Sequence, residues 1–355
     1  MGLTKVEWAD LSFNPWWGCE KVSPGCAHCY ADTLSKRYAN GVQLWGDGHE
    51  FRFFGDKHWA EPLKWARLLP AKLGRRPRVF CASMADVFEE RDELVEPRAR
   101  LFDLIRLTPQ LDWLILTKRP EAARDELARL YDYLEYDILE PSDPLGYLPN
   151  VWMGVSIENS RFTCRADVLR EIPAAVRFIS AEPLLGSLFP KIESRPRPAV
   201  HPGSPSTASL EPGAAMPRAA LDLTAIDWVI AGGESGRHAR PSHPDWFREL
   251  RDACFTMTDV AFSSDHEPVV SRPAFFFKQW GEWAPGSTFD GSERDRVVTY
   301  DGRDRTWPQW IEDGYRAGAG HARPVVMHRA GKRNAGRELD GRTWDEFPQS
   351  AAVPA

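Results

Sequence analysis

Three of the chain's six cysteines, Cys19, Cys26 and Cys29, fall inside the stretch NPWWGCEKVSPGCAHCYAD (14–32), with the spacing CxxxxxxCxxC. In a reducing compartment thiols this close together act more often as metal ligands or reactive groups than as disulfides. A structural zinc ion takes four protein ligands, and the nearby fourth candidates are His28, His49 and His58. His28 sits between two of the thiols and is poorly placed. A [4Fe–4S] cluster on three thiolates needs no fourth side chain, because the open iron can take a small molecule. Thiols merely buried in a Trp-rich pocket are the remaining reading. Cys81, Cys164 and Cys254 lie far apart in the sequence.

A second set of chemical groups recurs at the ends of apolar runs. Ser83 and Asp86 follow RVFCAS (78–83), Thr117, Lys118 and Arg119 end DWLILTKR (112–119), and Ser156, Glu158 and Asn159 end VWMGVSIEN (151–159). Ser180 and Glu182 end VRFISAEP (176–183), Gly232, Gly233 and Glu234 end DWVIAGGES (227–235), and Lys278 and Gln279 end AFFFKQW (274–280). Any one polar residue at a strand end is explained by a wet loop. Six in succession point to a binding rim, where ionisable groups stand against apolar walls.

The runs themselves predict the scaffold. Near-continuous apolar segments suit strands buried on both faces. Between them, 93–108, 121–135, 165–173 and 243–255 have helical spacing. Strand and helix therefore alternate, which predicts an α/β fold with parallel strands and right-handed crossovers, either as a barrel or as an open doubly wound sheet. With a first strand at or before FNPWWG there are about seven strands, enough for a partial or complete (βα) barrel of the TIM-barrel kind. The strand ends then converge on one face, and the cysteine loop follows the first strand onto the same rim. The barrel is expected over 1–284, with insertions at 190–220 and 258–272 that break the rhythm. A loop-rich extension over 285–355 is expected to pack on it, anchored by Trp307, Trp310 and Trp344.

Composition limits the function classes. With 355 residues and 43% hydrophobic content the chain can bury one large core, and a net charge of −6 excludes a protein that is basic throughout. The N-terminal MGLTKVEWADLSF lacks a signal-like pattern and no segment reaches the apolar length of a membrane helix, so a cytoplasmic location with no membrane partner is expected. Two segments are locally basic, 64–78 and 321–337, and with 15 tryptophans available they make nucleic acid a possible partner.

A cysteine loop after the first strand of such a barrel resembles the radical S-adenosylmethionine (SAM) superfamily. There the usual spacing is CxxxCxxC with an aromatic residue before the last cysteine; this chain has a first gap of six residues, His28 at the aromatic position and Tyr30 following. The strings NPWWGCEKVSPGCAHCYA, LTKRPE, VWMGVSIEN, ISAEPLLG, AGGESG, FFFKQWGEW and AGRELDGRTWDEFP are similar to a phage-associated bacterial family of uncharacterised proteins. The resemblance implies that Cys19, Cys26 and Cys29 ligate a [4Fe–4S] cluster whose open iron chelates SAM. It further implies that Ser83, Asp86, Lys118, Ser156, Glu158, Asn159 and Glu182 surround SAM. An external electron donor of the flavodoxin or ferredoxin type would reduce the cluster, and a 5′-deoxyadenosyl radical would abstract hydrogen from the substrate. Arg119, Glu234, Lys278 and Gln279 are the candidates to hold that substrate, with Arg119 and the lysines suited to an anion. The alternative is a non-catalytic, zinc-stapled nucleic-acid-binding protein.

Overall fold

The structure, a computed structural model, describes residues 4–38, 41–135, 148–190, 220–257, 259–262, 268–286, 295–312 and 323–348. Seven strands form one sheet: β1 (Leu11–Ser12), β2 (Arg78–Cys81), β3 (Asp112–Thr117), β4 (Val151–Ser156), β5 (Val176–Ala181), β6 (Trp228–Gly232) and β7 (Ala274–Gln279). Each pairs in parallel with its sequence neighbour, and β1 and β7 are the two unjoined edges. The result is a half-barrel, the partial form of the expected (βα) barrel. Among the described residues, six helices of eight or more residues accompany it: α1 (Tyr30–Tyr38) and α2 (Glu61–Leu68) between β1 and β2, α3 (Val95–Arg106), α4 (Pro120–Glu135), α5 (Cys164–Glu171) and α6 (Pro244–Thr256).

Helix α6 shows how local sequence sets these elements. The His243 ring accepts the Asp245 N–H at the helix start, Pro244 occupies the first turn, and Trp246, Phe247, Leu250 and Cys254 form the buried face. That face packs on the outer side of the sheet, where Phe275, Phe277, Val229 and Ala231 alternate with inward residues.

The inner face is built in two tiers. Phe80, Leu114, Trp152, Phe178, Trp228 and Phe276 form an apolar floor, joined by Trp8 from the N-terminal segment. Gly154 is required there, because a Cβ at that position would stand 2.3 Å from the Phe178 ring. Further along the strands the same inward face becomes polar, at Ser156, Ser180 and Lys278. The period of two thus carries one side of each strand from hydrophobic floor to polar rim.

Both barrel edges are covered. Residues 4–10 fold back beside β1, where Ser12 Oγ donates to Thr4 Oγ1 at 2.9 Å and the Thr4 amide donates to the Asp10 carbonyl at 3.1 Å. On the other edge Phe277 N–H donates to the Trp344 carbonyl, and Phe347 lies 5.2 Å from Trp228.

The C-terminal part is more regular than its sequence suggests. Strands β8 (Ala284–Pro285), β9 (Arg296–Val298), β10 (Asp304–Thr306) and β11 (Val325–His328) form an antiparallel sheet in the order β8-β11-β9-β10. Runs this short carry no readable alternation. The sheet meets α6 through Tyr300, whose hydroxyl donates to Glu249 at 2.5 Å and whose carbonyl accepts from the Trp246 indole at 2.8 Å. Trp344 is buried against Phe275 and Phe255. Trp310 is half-buried, and the Trp307 side chain lies outside the described residues. The insertion at 190–220 falls almost wholly outside them as well, while 258–272 contains a hairpin of Asp259–Phe262 and Pro268–Ser271.

A candidate cofactor site at the carboxyl ends of the strands

The loop that leaves β1 runs over the carboxyl ends of the other strands and is fixed at several points. Gly18 N–H donates to the Met84 carbonyl and Cys19 N–H to the Leu44 carbonyl, both at 3.1 Å. Next, the Ser23 hydroxyl donates to Glu158, a side chain with no exposure at all. Gly25 permits this docking, since a Cβ there would come within 2.5 Å of Glu158 Oε1. Arg165 balances the buried carboxylate at 3.1 Å and also donates to the Ser156 carbonyl at 2.7 Å. On the far side Arg240 ties the loop down, donating from Nη2 to the Pro24 carbonyl at 3.0 Å while it grips Glu234.

Beneath this loop is a cavity of about 660 Å³. Cys19, Cys26 and Cys29, all free thiols, line it together. So do Ser83, Asp86, Lys118, Arg119, Ser156, Glu182, Glu234, Lys278 and Gln279. Residues from six strand ends and the cysteine loop therefore share one space. Two expected site residues stand apart: Glu158 supports the cysteine loop from below, and the Asn159 side chain accepts the Arg161 N–H at 3.0 Å to cap a short turn.

The lining groups differ in what they have left to offer a ligand. Asp86 accepts from Thr117 Oγ1 (2.7 Å), Lys118 N–H (3.0 Å), Phe88 N–H (3.1 Å) and Arg119 Nη1 (3.1 Å). Four donors fill a carboxylate's acceptor sites, so Asp86 joins the ends of β2 and β3. Glu234 is also committed, to Arg240 N–H at 2.7 Å, to its guanidinium at 2.8 and 2.5 Å, and to His28 Nδ1 at 3.3 Å. Burial alone would raise the Glu234 carboxyl; the Arg240 bonds outweigh it and hold it below its ordinary range. Glu182, by contrast, pairs among the described residues with Lys278 alone, at 3.1 Å, and keeps acceptor capacity facing the cavity.

Gly232 and Gly233 serve packing. A Cβ on Gly232 would stand 2.4 Å from Glu182 Oε1, and one on Gly233 would stand 1.9 Å from the Trp280 carbonyl oxygen. On β7 the pairing skips one residue between Phe277 and Gln279, and this bulge lets Lys278 and Gln279 both line the cavity.

Cations stand beside the thiols. Burial, reinforced by Asp86, pushes the Cys19 thiol well above its ordinary range, while the Arg119 guanidinium pulls it back. Burial works against charge on Lys118, yet Cys26, Glu158, Cys29 and Asp86 together raise its pKa. Lys118 Nζ also donates to Ser156 Oγ at 3.2 Å. Arg119 and Lys118 thus place positive charge next to the three thiols. Among the described residues, no three His, Cys, Asp or Glu side chains form a group closed around a single metal ion.

The histidines have other partners. His49 contacts the Gly46 carbonyl at 2.8 Å and Glu89 at 3.2 Å, and His58 contacts the Asn14 carbonyl at 2.9 Å and stacks on Phe13. Neither lines the cavity. The basic segments are also largely engaged: Arg75 pairs with Asp10 at 2.8 Å, Arg76 with Asp112 at 3.6 Å, and Arg323 with Asp245 at 3.3 Å. Twelve of the tryptophans are buried, so they serve the core rather than an exposed stacking surface. No described helix is long and apolar enough to cross a membrane.

Sequence reading missed Glu7, Trp8, Arg240 and Lys332. The cavity is lined by Glu7, Trp8 and Lys332, and Arg240 orders the cysteine loop. None sits in a motif with recognisable spacing, and only the fold brings them near.

Three variant structures of spore photoproduct lyase are similar to the chain at 11–12% identity and a TM-score of 0.34, covering 76% of this chain and 70% of theirs. No curated protein matches. Residues 3–348 match the family described as "Protein of unknown function (DUF5131)", and the chain belongs to that family.

Proposed function

We propose that the chain is a radical SAM enzyme, in which Cys19, Cys26 and Cys29 hold a [4Fe–4S] cluster with one iron left for SAM. The observation that carries this reading is that three free thiols of one loop line the same cavity as the polar strand ends. A mononuclear ion requires its ligands to close on one point, whereas a cluster takes each thiolate on a different iron. The donor set of three soft sulfurs with cations beside them fits the second arrangement. His49 and His58, two candidate fourth ligands for zinc, are engaged elsewhere.

Bound there, the cluster would supply one electron to the sulfonium of SAM and so release the 5′-deoxyadenosyl radical that takes hydrogen from a substrate. The chain's own residues prepare for that event. Arg119 beside Cys19, and Lys118 beside Cys26 and Cys29, offset thiolate charge. Glu182, with free acceptor capacity, receives the amino group or a ribose hydroxyl of SAM; Ser156 and Ser83 offer hydroxyls to the same ligand. The aromatic floor under the rim excludes water from the reacting centre. The electron comes from an external donor of the flavodoxin or ferredoxin type.

Metal analysis after anaerobic reconstitution with iron and sulfide tests the reading. About four irons per chain are expected; one tightly held zinc that iron does not displace would favour the zinc-stapled alternative.

A further inference from the structure

We propose that the seam between β1 and β7 is a binding site for a nucleobase carried on a phosphate, and that this nucleotide is the substrate's end of the cavity. Its catalytic meaning rests on the radical SAM reading; the binding itself does not.

The seam is where the half-barrel stays open, since its two edge strands do not pair. It is closed by side chains instead. From the β1 side the 4–8 segment presents Glu7 and Trp8. From the opposite side Lys332, whose neighbour Gly331 donates to the Glu282 carbonyl at 3.0 Å, reaches to 4.0 Å from Glu7 Oε1. Glu7, Trp8, Lys278, Gln279 and Lys332 all line the cavity.

Among the described residues, several polar atoms here are buried without a partner. Trp8 Nε1 finds no acceptor there although the residue is 2% exposed, and Gln279 Oε1 finds no donor although its residue is 5% exposed. Glu7 Oε2 is a third such atom. Leaving a polar group buried and unpaired costs about 1–3 kcal/mol, so such groups mark places where something else completes them. Gln279 is held in place by its amide nitrogen, which donates to Ser235 Oγ at 3.0 Å, and this leaves the carbonyl end free.

The ligand chemistry follows from that set. One free N–H and two free acceptor oxygens suit a partner that carries N–H and acceptor groups on one edge, as a nucleobase does. An apolar ring edge would rest against Trp8 and Phe80, which both line the cavity and meet edge-on at 4.6 Å. Lys5, Lys278 and Lys332 supply positive charge for a phosphate. A sugar lacks the apolar face, and a peptide backbone lacks the phosphate.

The test is calorimetric binding of the four common nucleoside 5′-monophosphates, and of a short single-stranded oligonucleotide, to the full chain before and after iron–sulfide reconstitution. At least one mononucleotide or the strand is expected to bind, and comparing the two distinguishes a free nucleotide from one within a nucleic acid. Gln279→Leu and Trp8→Phe should each weaken binding by roughly five- to tenfold, the worth of one hydrogen bond. Lys332→Gln, at an exposed position, should weaken it without disturbing the fold, and S-adenosylhomocysteine should not displace the nucleotide. The proposal is overturned if no probe binds, or if all three variants bind as tightly as the unchanged chain. It is also overturned if S-adenosylhomocysteine competes and loses affinity in Gln279→Leu, which would assign the seam to SAM's own adenine. A chain that binds nucleotide but takes up no iron would sink the enzyme reading alone.

Discussion

His28, placed between two cysteines of the β1 loop, stands 3.3 Å from the carboxylate of Glu234, 206 positions further along at the end of β6. Arg240 completes the junction by bonding both Glu234 and the Pro24 carbonyl. The loop that carries the thiols is thus clamped to the far side of the half-barrel by a buried carboxylate that has no capacity left for a ligand. Glu158, through Ser23, is a second clamp of the same kind.

Removing the first clamp should loosen the loop. Arg240→Ala leaves Glu234 buried and under-satisfied, with an expected loss of about 1–3 kcal/mol in stability. Iron retained after reconstitution should fall sharply, as read by metal analysis. Arg240→Lys should recover only part of it, because an ammonium cannot match the forked geometry of guanidinium. Full iron retention in Arg240→Ala would show that the loop needs no such clamp.

Neighbouring glycines on β6 should behave differently when enlarged. Gly233→Ala drives a methyl group into the Trp280 backbone, which cannot move aside, and should cost about 3 kcal/mol or more by thermal or chemical denaturation. Gly232→Ala meets only the end of the Glu182 side chain. It should cost about 1 kcal/mol or less, while SAM affinity, measured by equilibrium dialysis, drops roughly tenfold through displacement of Glu182. Equal destabilisation by the two changes would contradict this packing.

A buried acid at the start of β3 sets a pH dependence. Asp112 is 1% exposed and 3.6 Å from Arg76; burial dominates and pushes its carboxyl up to about 6 from 3.8. Because the folded value lies above the unfolded one, its favourable contribution is complete below the unfolded value and is lost as pH rises through about 6. The whole loss is about 3 kcal/mol. Urea denaturation of the unchanged chain should therefore show a steeper decline between about pH 4 and about pH 7 than Asp112→Asn does. Parallel profiles would place no such burden on Asp112.

Much of the scaffold was readable because apolar runs with polar ends are a local pattern. All six apolar runs became strands β2 to β7, and the cysteine loop lies where the first strand delivers it. Charge partnership was not readable. Asp86 and Glu234 look like free carboxylates in the sequence, yet Arg119 and Arg240 occupy them, and that choice is made by tertiary approach. Trp8 was also illegible: one aromatic in a short irregular segment carries no periodicity, whereas its indole completes the barrel floor. The extension after Trp283 hid its small sheet because strands of two to four residues give alternation too few positions to register.

Each of the three loop thiols should be indispensable on its own. Cys19→Ala, Cys26→Ala and Cys29→Ala are each expected to abolish both iron–sulfur absorption and SAM cleavage. Cys164→Ala and Cys254→Ala, remote from the cavity, should leave both intact; Cys254, buried on α6 with its thiol pushed up to about 12 by burial, should affect stability only.

The most direct measurement is the formation of 5′-deoxyadenosine when anaerobically reconstituted chain is mixed with SAM and dithionite. This product is expected from the unchanged chain and none from Cys26→Ala. Deoxyadenosine from Cys26→Ala at the unchanged rate, or none from a chain that has taken up its full iron, would contradict the radical SAM reading.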